Sequence, residues 1–344
     1  MTILDSLSRL APLRLDLDET AYSIGDYEGA GTRWCHGCGN SAILTALQKL
    51  CAEEQLPPEK TVIVSGIGCA SRLPHYMGTY GFHGLHGRAL PTAEGVKVRR
   101  PDLHVFVSTG DGDCFSIGAA HWIHAIRYNM DMTVMVHDNR IYGLTKKQAS
   151  PTSPRGLVTS TTPRGVKLDP LNPVAATLGM SNVSFVAQAA DWLPSILYDI
   201  LHRAYLHRGL SFIHILQRCP NYLDDDFDEY IRHPERVVLL THPQGIEPED
   251  AVARRFPNRI EHDPGDMAHA LALARMSDGL PVGILYRNDA VPCYEDLLAP
   301  RRLPVASRIA ALEHELDRFT VRPDGSRSDP PGEVITPPAR ALAG

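Results

Sequence analysis

Residues 110–145, GDGDCFSIGAAHWIHAIRYNMDMTVMVHDNRIYGLT, contain the pattern that decides the fold. The apolar run LHVFVSTG (103–110) leads into a glycine–acid–glycine turn, and a helical pattern follows. A second apolar run, MTVMVHDN (132–139), ends at Asp138 and Asn139. Short β-branched runs that alternate with helical segments are typical of a parallel sheet covered by helices on both faces. The segment therefore predicts an α/β fold with a doubly wound, mainly parallel sheet.

The same alternation extends along most of the chain. Helical spacing of apolar residues predicts helices at 40–55, 117–128 and 192–209, and continuous apolar runs predict strands at 61–68, 103–110, 132–139 and 211–219. Composition suggests an N-terminal arm (1–30), a cofactor-binding domain (31–235), a small C-terminal annex (236–293) and a Pro-rich tail (294–344). Such a tail is expected to be disordered or bound to a partner.

Bulk properties exclude several classes of protein. The 344 residues carry a formal net charge of −6, and a nucleic-acid-binding surface would require a basic face. No apolar run approaches the ~20 residues that cross a bilayer, so no membrane partner is expected. The first twenty residues lack the basic start and apolar stretch of a signal peptide, which favours a cytoplasmic protein. In that compartment the seven cysteines are expected to be reduced thiols or metal ligands.

The glycine–acid–glycine turn predicts a bound anion and a metal ion. Ligands of open parallel sheets lie at the carboxyl ends of the strands, where Asp111 and Asn139 both fall. Gly110 and Gly112 allow a tight turn and a close approach of backbone N–H groups to an anion. Carboxylate and amide oxygens suit Mg²⁺, which commonly retains a phosphate among its ligands. A tight turn without function is the alternative, but the paired spacing favours a Mg²⁺-bridged diphosphate.

Four cysteines precede or follow predicted elements near the same edge of the sheet. Cys35 and Cys38 form a Cys-x-x-Cys pair before the first helix, Cys69 follows the strand at 61–68, and Cys219 follows a later strand. Four thiolates suit either a zinc ion or an iron–sulfur cluster, and the spacing alone does not separate these possibilities. The remaining cysteines are interpreted as buried or incidental thiols: Cys51, Cys114 and Cys293.

GDGD followed by DNRIYGLT resembles the thiamine-diphosphate motif. The resemblance implies that Asp111, Asn139 and the main-chain carbonyl of Ile141 hold Mg²⁺. It also implies that the diphosphate is lined by residues of the two turns: Gly110, Asp111, Gly112, Asp113, Asn139, Ile141, Tyr142, Gly143, Leu144 and Thr145. Asp138 stands where the motif usually has the first asparagine of a pair.

A larger set of motifs is similar to the β subunit of 2-oxoacid:ferredoxin oxidoreductases: WCHGCGN, GIGCASRLPHY, GFHGLHGRALP, GDGD and DNRIYGLTKKQASPT. The likeness covers about residues 25–225. It implies a thiamine-diphosphate-binding fold and one [4Fe–4S] cluster, with ligands Cys35, Cys38, Cys69 and Cys219. The segment LPTAEG departs from the usual LPVATG, since Glu94 stands where a small residue is common.

The resemblance implies coenzyme A-dependent oxidative decarboxylation of a 2-oxoacid, or its reverse, with electrons passed through the cluster to ferredoxin. It also implies a larger α subunit, which supplies the glutamate that activates the aminopyrimidine, and a dimer of αβ heterodimers. Two other functions remain open from the residues alone. One is a non-redox thiamine decarboxylase with a structural zinc ion, and the other is a zinc-stabilised scaffold without enzymatic activity.

Three basic residues are candidates for substrate contact. Arg72 lies three positions after Cys69, His86 lies in a glycine-rich loop, and Lys146 follows the diphosphate turn. Surface ion pairs are the commoner fate of Arg and Lys, but the position beside two cofactor motifs favours catalysis or substrate binding. Relatives that prefer pyruvate often have Gly-Gly where this chain has Lys146 and Lys147, so the sequence predicts 2-oxoglutarate as substrate, with pyruvate or broad 2-oxoacid specificity as the alternative.

Overall fold

The structure is a computed structural model that describes residues 21–298 and 305–317. Nine strands form one sheet in the order β10-β9-β11-β7-β8-β4-β3-β1-β2, and a separate pair, β5-β6, forms a small hairpin. The strands are β1 Thr61–Ser65, β2 Tyr80–His83, β3 His104–Gly110, β4 Met132–Asp138, β5 Ile141–Tyr142, β6 Gln148–Ala149, β7 Phe185–Ala190, β8 Leu210–Leu216, β9 Val237–Thr241, β10 Arg259–Glu261 and β11 Leu280–Arg287. All neighbours in the large sheet are parallel except β11 and β7, which confirms the predicted fold class.

Helices cover both faces of this sheet. Those of the unit that holds the sheet are α1 Asn40–Glu53, α2 Ala89–Arg99, α3 Ala119–Tyr128, α4 Pro173–Leu178, α5 Pro194–Leu206, α6 Asp228–Arg232, α7 Asp250–Arg255, α8 Met267–Ala274 and α9 Tyr294–Leu298, while a separate C-terminal unit contains α10 Val305–Asp317. One apolar core lies under α1 and α5, and a second lies under α2, α3, α4 and α8. Burial of apolar surface on both faces, worth about 25 cal/mol per Å², explains why the central strands read as uninterrupted apolar runs.

The parallel register brings several strand ends to one edge of the sheet. Gly110 at the end of β3 pairs with His137 in β4, and Asp138 pairs with Leu216 at the end of β8. Ser65 at the end of β1 pairs with Ser108 of β3. The loops that carry Cys69, Asp111, Asn139 and Cys219 therefore begin side by side, as the spacing of the motifs predicts.

Three strands of the large sheet, and both strands of the hairpin, have no counterpart in the predicted elements. All residues of β2 are exposed at the edge of the sheet, β7 has the alanine-rich sequence FVAQAA, and β10 has only three residues. None of these carries a long β-branched run, so their pairing depends on the rest of the sheet. The strands of the predicted annex, β9 to β11, extend the same sheet through β11 and β7.

The two ends of the chain fall partly outside the described residues. Residues 1–20 of the predicted arm lie outside, but the short helical turn Ile24–Tyr27 is anchored because the Tyr27 hydroxyl donates to the Leu56 carbonyl at 2.6 Å. Within the predicted tail, the described residues form α9 and α10, and the remainder lies outside. In the part of the chain that the structure describes, no helix is long and apolar enough to cross a membrane.

Candidate active site

A cavity of about 240 Å³ opens at the carboxyl edge of β1, β3 and β4. All ten residues predicted to contact the diphosphate line it, together with His86, Cys69 and four others: Ile67, Gly68, Ala70 and His137. Arg72 and Lys146 do not contribute to its wall. The fold therefore brings both turns of the motif to one concave site, which is the usual position of ligands in such sheets.

Asp113 organises the wall of the cavity. Its Oδ1 accepts hydrogen bonds from the backbone N–H of Gly87 at 2.6 Å and of Ile67 at 3.3 Å, and its Oδ2 accepts one from Thr109 Oγ1 at 2.7 Å. The residue is 2% exposed. A Cβ on Gly66 would overlap this carboxylate. Asp113 thus ties two loops and β3 together through its carboxylate.

His86 and Tyr142 form the part of the cavity wall next to Asp113. His86 Nδ1 lies 2.6 Å from Asp113 Oδ1, at an angle that does not form a hydrogen bond. Its ring meets the Tyr142 ring edge-on, with centroids 5.9 Å apart. The Tyr142 hydroxyl donates to the carbonyl of Gly112 at 3.0 Å, and any Cβ on Gly112 would overlap the tyrosine ring. The second glycine of GDGD is therefore required by the packing of Tyr142.

Two buried aspartates lie close together beneath the cavity. Thr152 Oγ1 is 2.8 Å from both Asp111 Oδ2 and Asp138 Oδ1, and His214 Nε2 is 2.7 Å from Asp138 Oδ2. Burial and the neighbouring Asp138 raise the pKa of Asp111 well above its usual range. Burial opposes ionisation of Asp138 as well, but the hydrogen bond and charge of His214 lower its pKa overall. Asp111 is therefore a buried carboxyl that a nearby cation would stabilise in its ionised form.

The other predicted metal ligands lie in the turn after β4. Asn139 Oδ1 accepts a hydrogen bond from the N–H of Ile141 at 3.2 Å, and both residues line the cavity with Asp111. Between them, Arg140 has a φ of 57°, in the left-handed region, so the chain reverses sharply at this point. A carboxylate, an amide oxygen and a main-chain carbonyl form a hard oxygen donor set, and this set fits Mg²⁺.

The four predicted cluster cysteines come together beside the cavity. A Cβ on Gly143 would lie 3.7 Å from Cys69 Sγ and 3.8 Å from Cys219 Sγ, so the turn Tyr142–Thr145 lies next to the cysteine group. Cys38 is close enough to Cys35, Cys69 and Cys219 to interact electrostatically with each. Backbone hydrogen bonds fix the loops, since Cys38 N donates to Cys35 O and Gly39 N donates to Arg218 O, each at 3.1 Å.

Two of these thiols, Cys38 and Cys69, need a positive centre if they are to ionise. Burial, with a smaller contribution from neighbouring cysteines, raises the pKa of Cys38 to about 12 and that of Cys69 to about 11. Thiolates are the form that binds metal, so the group fits an iron–sulfur cluster that supplies positive charge. Across residues 21–298 and 305–317, no three His, Cys, Asp or Glu side chains are grouped tightly enough to hold a single metal ion. A four-iron cluster spreads its cysteine ligands over separate irons and requires no such point of convergence.

The remaining cysteines are buried, and the basic candidates Arg72 and Lys146 lie outside the cavity wall. Cys51, Cys114 and Cys293 are buried, and burial raises the pKa of all three thiols. Arg72 Nε donates to the Tyr76 hydroxyl at 2.9 Å, and its charge acts on Cys69, which places it on the side of the cysteine group. Lys146 is exposed beside the turn.

Comparison with known proteins places this site in a defined class. Residues 66–215 match the family model described as the C-terminal TPP binding domain of thiamine pyrophosphate enzymes. Residues 255–302 match the model of the C-terminal part of the pyruvate ferredoxin oxidoreductase beta subunit. The protein therefore has a thiamine-diphosphate-binding fold, as the motif predicts.

Individual relatives narrow this class to one family. The chain is 41% identical over 322 residues to the 2-oxoglutarate oxidoreductase subunit KorB of Mycobacterium tuberculosis, covering 84% of this chain and 86% of that protein. It is 40% identical over 271 residues to the 2-oxoacid:ferredoxin oxidoreductase subunit beta of Saccharolobus solfataricus, covering 78% and 86%. The chain belongs to the β subunits of the 2-oxoacid:ferredoxin oxidoreductases, which confirms the resemblance of its motifs.

A solved structure agrees with this assignment. The 2-oxoglutarate:ferredoxin oxidoreductase from Magnetococcus marinus, with 2-oxoglutarate, coenzyme A and succinyl-CoA bound, matches with a TM-score of 0.70 and 35% sequence identity. The match covers 86% of this chain and 97% of that chain. The two proteins therefore share most of their fold.

Several residues of the site are not among the predicted site residues. Thr152 bridges the two aspartates, Gln217 contacts Asn139, and Asp191 holds the loop of Cys219 through Arg218. Thr152 is the last residue of the motif DNRIYGLTKKQASPT, and Gln217 lies two positions before Cys219, which was the available signal. Asp191 is distant from every motif, and only the packing of the loops brings it to the site.

Proposed function

We propose that this chain is the β subunit of a 2-oxoglutarate:ferredoxin oxidoreductase. With its α subunit, it would catalyse coenzyme A-dependent oxidative decarboxylation of 2-oxoglutarate to succinyl-CoA and CO₂, or the reverse reaction. Electrons would pass through a [4Fe–4S] cluster to ferredoxin. The observation that carries the proposal is the shared turn: Tyr142–Thr145 lines the cavity together with Cys69, and Gly143 within it lies next to Cys69 and Cys219. The proposed thiamine site and the proposed cluster site would thereby be adjacent, as electron transfer between them requires.

Each group of residues has a separate task in this proposal. Asp111, Asn139 and the Ile141 carbonyl would hold Mg²⁺, and the N–H groups of the glycine turn would face the diphosphate. Thiamine diphosphate, when bound, supplies a ring that accepts the electrons released as CO₂ departs. His86, which lines the cavity beside Asp113 and Tyr142, is proposed to contact the substrate.

The α subunit is required because the site lacks one group. Thiamine chemistry needs a carboxylate at the aminopyrimidine, and among the described residues no glutamate lines the cavity. Aspartates do line it, but Asp111 is committed to the proposed metal site and Asp113 to the loops. The chain is therefore proposed to be a half-site whose partner provides the missing glutamate, in a dimer of αβ heterodimers.

The choice of 2-oxoglutarate rests on Lys146 and on the relatives. Lys146 and Lys147 have φ values of 72° and 70°, in the left-handed region where glycine is normally favoured. Two consecutive lysines in this conformation cost about 1–2 kcal/mol each, so their presence beside the diphosphate turn suggests a use for the ammonium group. Relatives named only as 2-oxoacid:ferredoxin oxidoreductases favour broad specificity as a second candidate.

An anaerobic reconstitution tests the proposal. The isolated chain should show a broad band near 400 nm that dithionite bleaches, with matching iron and sulfide content, but no substrate-dependent reduction of ferredoxin or viologen dye. Addition of the α subunit should give reduction that depends on both 2-oxoglutarate and coenzyme A. Zinc without iron would refute the redox assignment, and full activity of the purified chain alone would refute the half-site. A preference for pyruvate would refute the substrate.

A further inference from the structure

Gln217 lies between the proposed magnesium site and the proposed cluster site. It directly follows β8, and its backbone N–H donates to the carbonyl of Asp138 at 2.9 Å. Its side chain points into the protein, and the residue is only 1% exposed. No motif includes Gln217, yet its side chain contacts both Asn139, a proposed magnesium ligand, and Cys38, a proposed cluster ligand.

The oxygen and both N–H groups of the Gln217 amide have hydrogen-bond partners. Oε1 accepts from Asn139 Nδ2 at 3.1 Å, and Nε2 lies 3.5 Å from Cys38 Sγ. The second N–H of Nε2 donates to the carbonyl of Arg218. A flipped amide would place Oε1 against that carbonyl oxygen and Nε2 against the Asn139 amino group. The contacts therefore fix the orientation in which N–H faces sulfur.

The segment of Cys38 is also held in place by contacts of Asp191 and Arg218. Asp191 Oδ2 accepts from Arg218 Nε at 2.9 Å and from Nη2 at 2.7 Å, while Oδ1 accepts from Arg218 N at 2.9 Å. The Arg218 carbonyl accepts from Gly39 N at 3.1 Å, directly after Cys38. The frame is close-fitting, since a Cβ on Gly39 would lie 2.5 Å from Asp191 Cγ. Gln217 thus meets a sulfur whose position is already defined.

We propose that Gln217 is a positioning residue that joins the two cofactor sites through one amide. Its carbonyl orients Asn139 toward the metal, and its N–H group donates to the sulfur of the cluster ligand Cys38. Hydrogen bonds to the sulfurs of a cluster stabilise the reduced, more negative state and raise the reduction potential. Outer partners of metal ligands likewise support metal affinity. The inference rests on the proposed function, because it requires both cofactors.

Two variants of the αβ complex separate the two contacts. Gln217→Glu retains an acceptor for Asn139 but has no N–H for Cys38, whereas Gln217→Met has neither. In Gln217→Glu the equilibrium of cluster reduction should shift about tenfold toward the oxidised form, which is a fall of 59 mV for one electron. Gln217→Met should shift it in the same direction. Gln55→Glu, in the exposed loop after α1, makes the same charge change away from the site and should leave the potential unchanged.

The contact with Asn139 is measured without turnover. Half-maximal binding of thiamine diphosphate, followed by tryptophan fluorescence with the cluster kept oxidised, should require about tenfold more Mg²⁺ in Gln217→Met. Gln217→Glu should remain within about twofold of the wild type, because its carboxylate still accepts from Asn139 Nδ2. An unchanged Mg²⁺ requirement in Gln217→Met would overturn the link to Asn139.

A measurement on the unmutated complex covers the case in which the variants lose iron. Glutamine labelled with ¹⁵N in the side-chain amide should give a hyperfine coupling to the reduced cluster. If the variants keep their iron, an unchanged reduction potential overturns the hydrogen bond to Cys38. If the variants lose their iron, the absence of the ¹⁵N coupling in the wild-type complex overturns that hydrogen bond. A wild-type complex without iron and sulfide would instead refute the proposed function. A normal cluster that is insensitive to Gln217 refutes only this inference.

Discussion

The cavity and the cysteine group lie side by side but are built in different ways. The wall of the cavity is held by Asp113, a buried carboxylate with three hydrogen-bond donors, two from loops and one from β3. The cysteine group lies on loops, with Cys35 exposed and Cys38, Cys69 and Cys219 half-buried. The fold itself therefore shapes the proposed diphosphate site, whereas burial raises the pKa of the Cys38 and Cys69 thiols, which would need the proposed cluster to ionise. Each site should then be separable from the other by mutation.

Loss of a cluster ligand should have the largest effect. Cys219→Ser should reduce iron content to background and abolish ferredoxin reduction, because a hydroxyl replaces a thiolate ligand. Binding of thiamine diphosphate with Mg²⁺ should persist, since no hydrogen bond of Asp113 changes. Iron and sulfide analysis with a binding titration checks both outcomes.

The matched control is Cys293→Ala, which removes a buried thiol whose Sγ lies 2.7 Å from Glu295 Oε2. It should retain the cluster, as should the corresponding variants of Cys51 and Cys114. Full iron in Cys219→Ser would contradict the four-ligand assignment, and a loss of thiamine diphosphate binding would show that the two sites are not separable.

Asp113→Asn alters the cavity wall and leaves the cysteine group unchanged. An amide group would present a donor to N–H groups that already donate, at a cost of about 2–3 kcal/mol in folding free energy. We expect a lower Tm and weaker binding of thiamine diphosphate, with iron content retained. Asp169→Asn is the control, since that side chain is 79% exposed and pairs only with Arg155 at the surface. Normal binding in Asp113→Asn would remove the central role of this carboxylate.

Lys146→Gly tests the turn that the two sites share. If the ammonium contacts the distal carboxylate of 2-oxoglutarate, kcat/KM for this substrate should fall about tenfold to a hundredfold, from about 1.5–3 kcal/mol for a charged hydrogen bond. The value for pyruvate should not change. The Tm should rise slightly, because glycine accepts the φ of 72° without strain.

Lys147→Gly gives a matched control at a φ of 70°. It should share the gain in Tm without the loss of specificity, because Lys147 lies one residue further from the turn Tyr142–Thr145 than Lys146 does. Equal losses for both substrates in Lys146→Gly would contradict the role of Lys146.

The smallest effect concerns Glu94, which lies on α2 and lines neither site. Burial raises the pKa of its carboxyl from 4.5 to about 7, and Oε1 is buried without a partner. The folded state therefore favours the protonated carboxyl of Glu94. Ionisation of this carboxyl should lower the free energy of unfolding progressively as the pH rises from 4.5 to 7, and the loss should be complete above pH 7.

Glu94→Gln should consequently raise stability at pH 8 by about 1 kcal/mol, a value reduced to allow for the partial exposure of the side chain, and by much less at pH 5. Denaturant titrations of the two proteins at both pH values measure this difference, and Glu59→Gln provides an exposed control. A gain that is the same at both pH values would contradict the assignment to ionisation.

Much of the fold and the outline of the site could be predicted from the sequence. Continuous apolar runs identify β3 and β4, since strands buried on both faces leave that pattern. GDGD and the Asp138–Asn139 pair follow those strands, so the parallel topology brings them together. The exposed strand β2 and the alanine-rich strand β7 escaped prediction, because their local sequence has little strand preference and their neighbours in the sheet determine their conformation.

The sequence by itself determined which residues lie at the carboxyl edge, because strand periodicity and the glycine turns are encoded by neighbouring residues. Only the tertiary structure decided which side chains meet there. Thr152 joins Asp111 to Asp138, and Gln217 joins Asn139 to Cys38, across separations of 14 to 179 residues. Hydrogen bonds between such distant positions arise from the packing of loops on the completed sheet, and no local pattern in the chain specifies them.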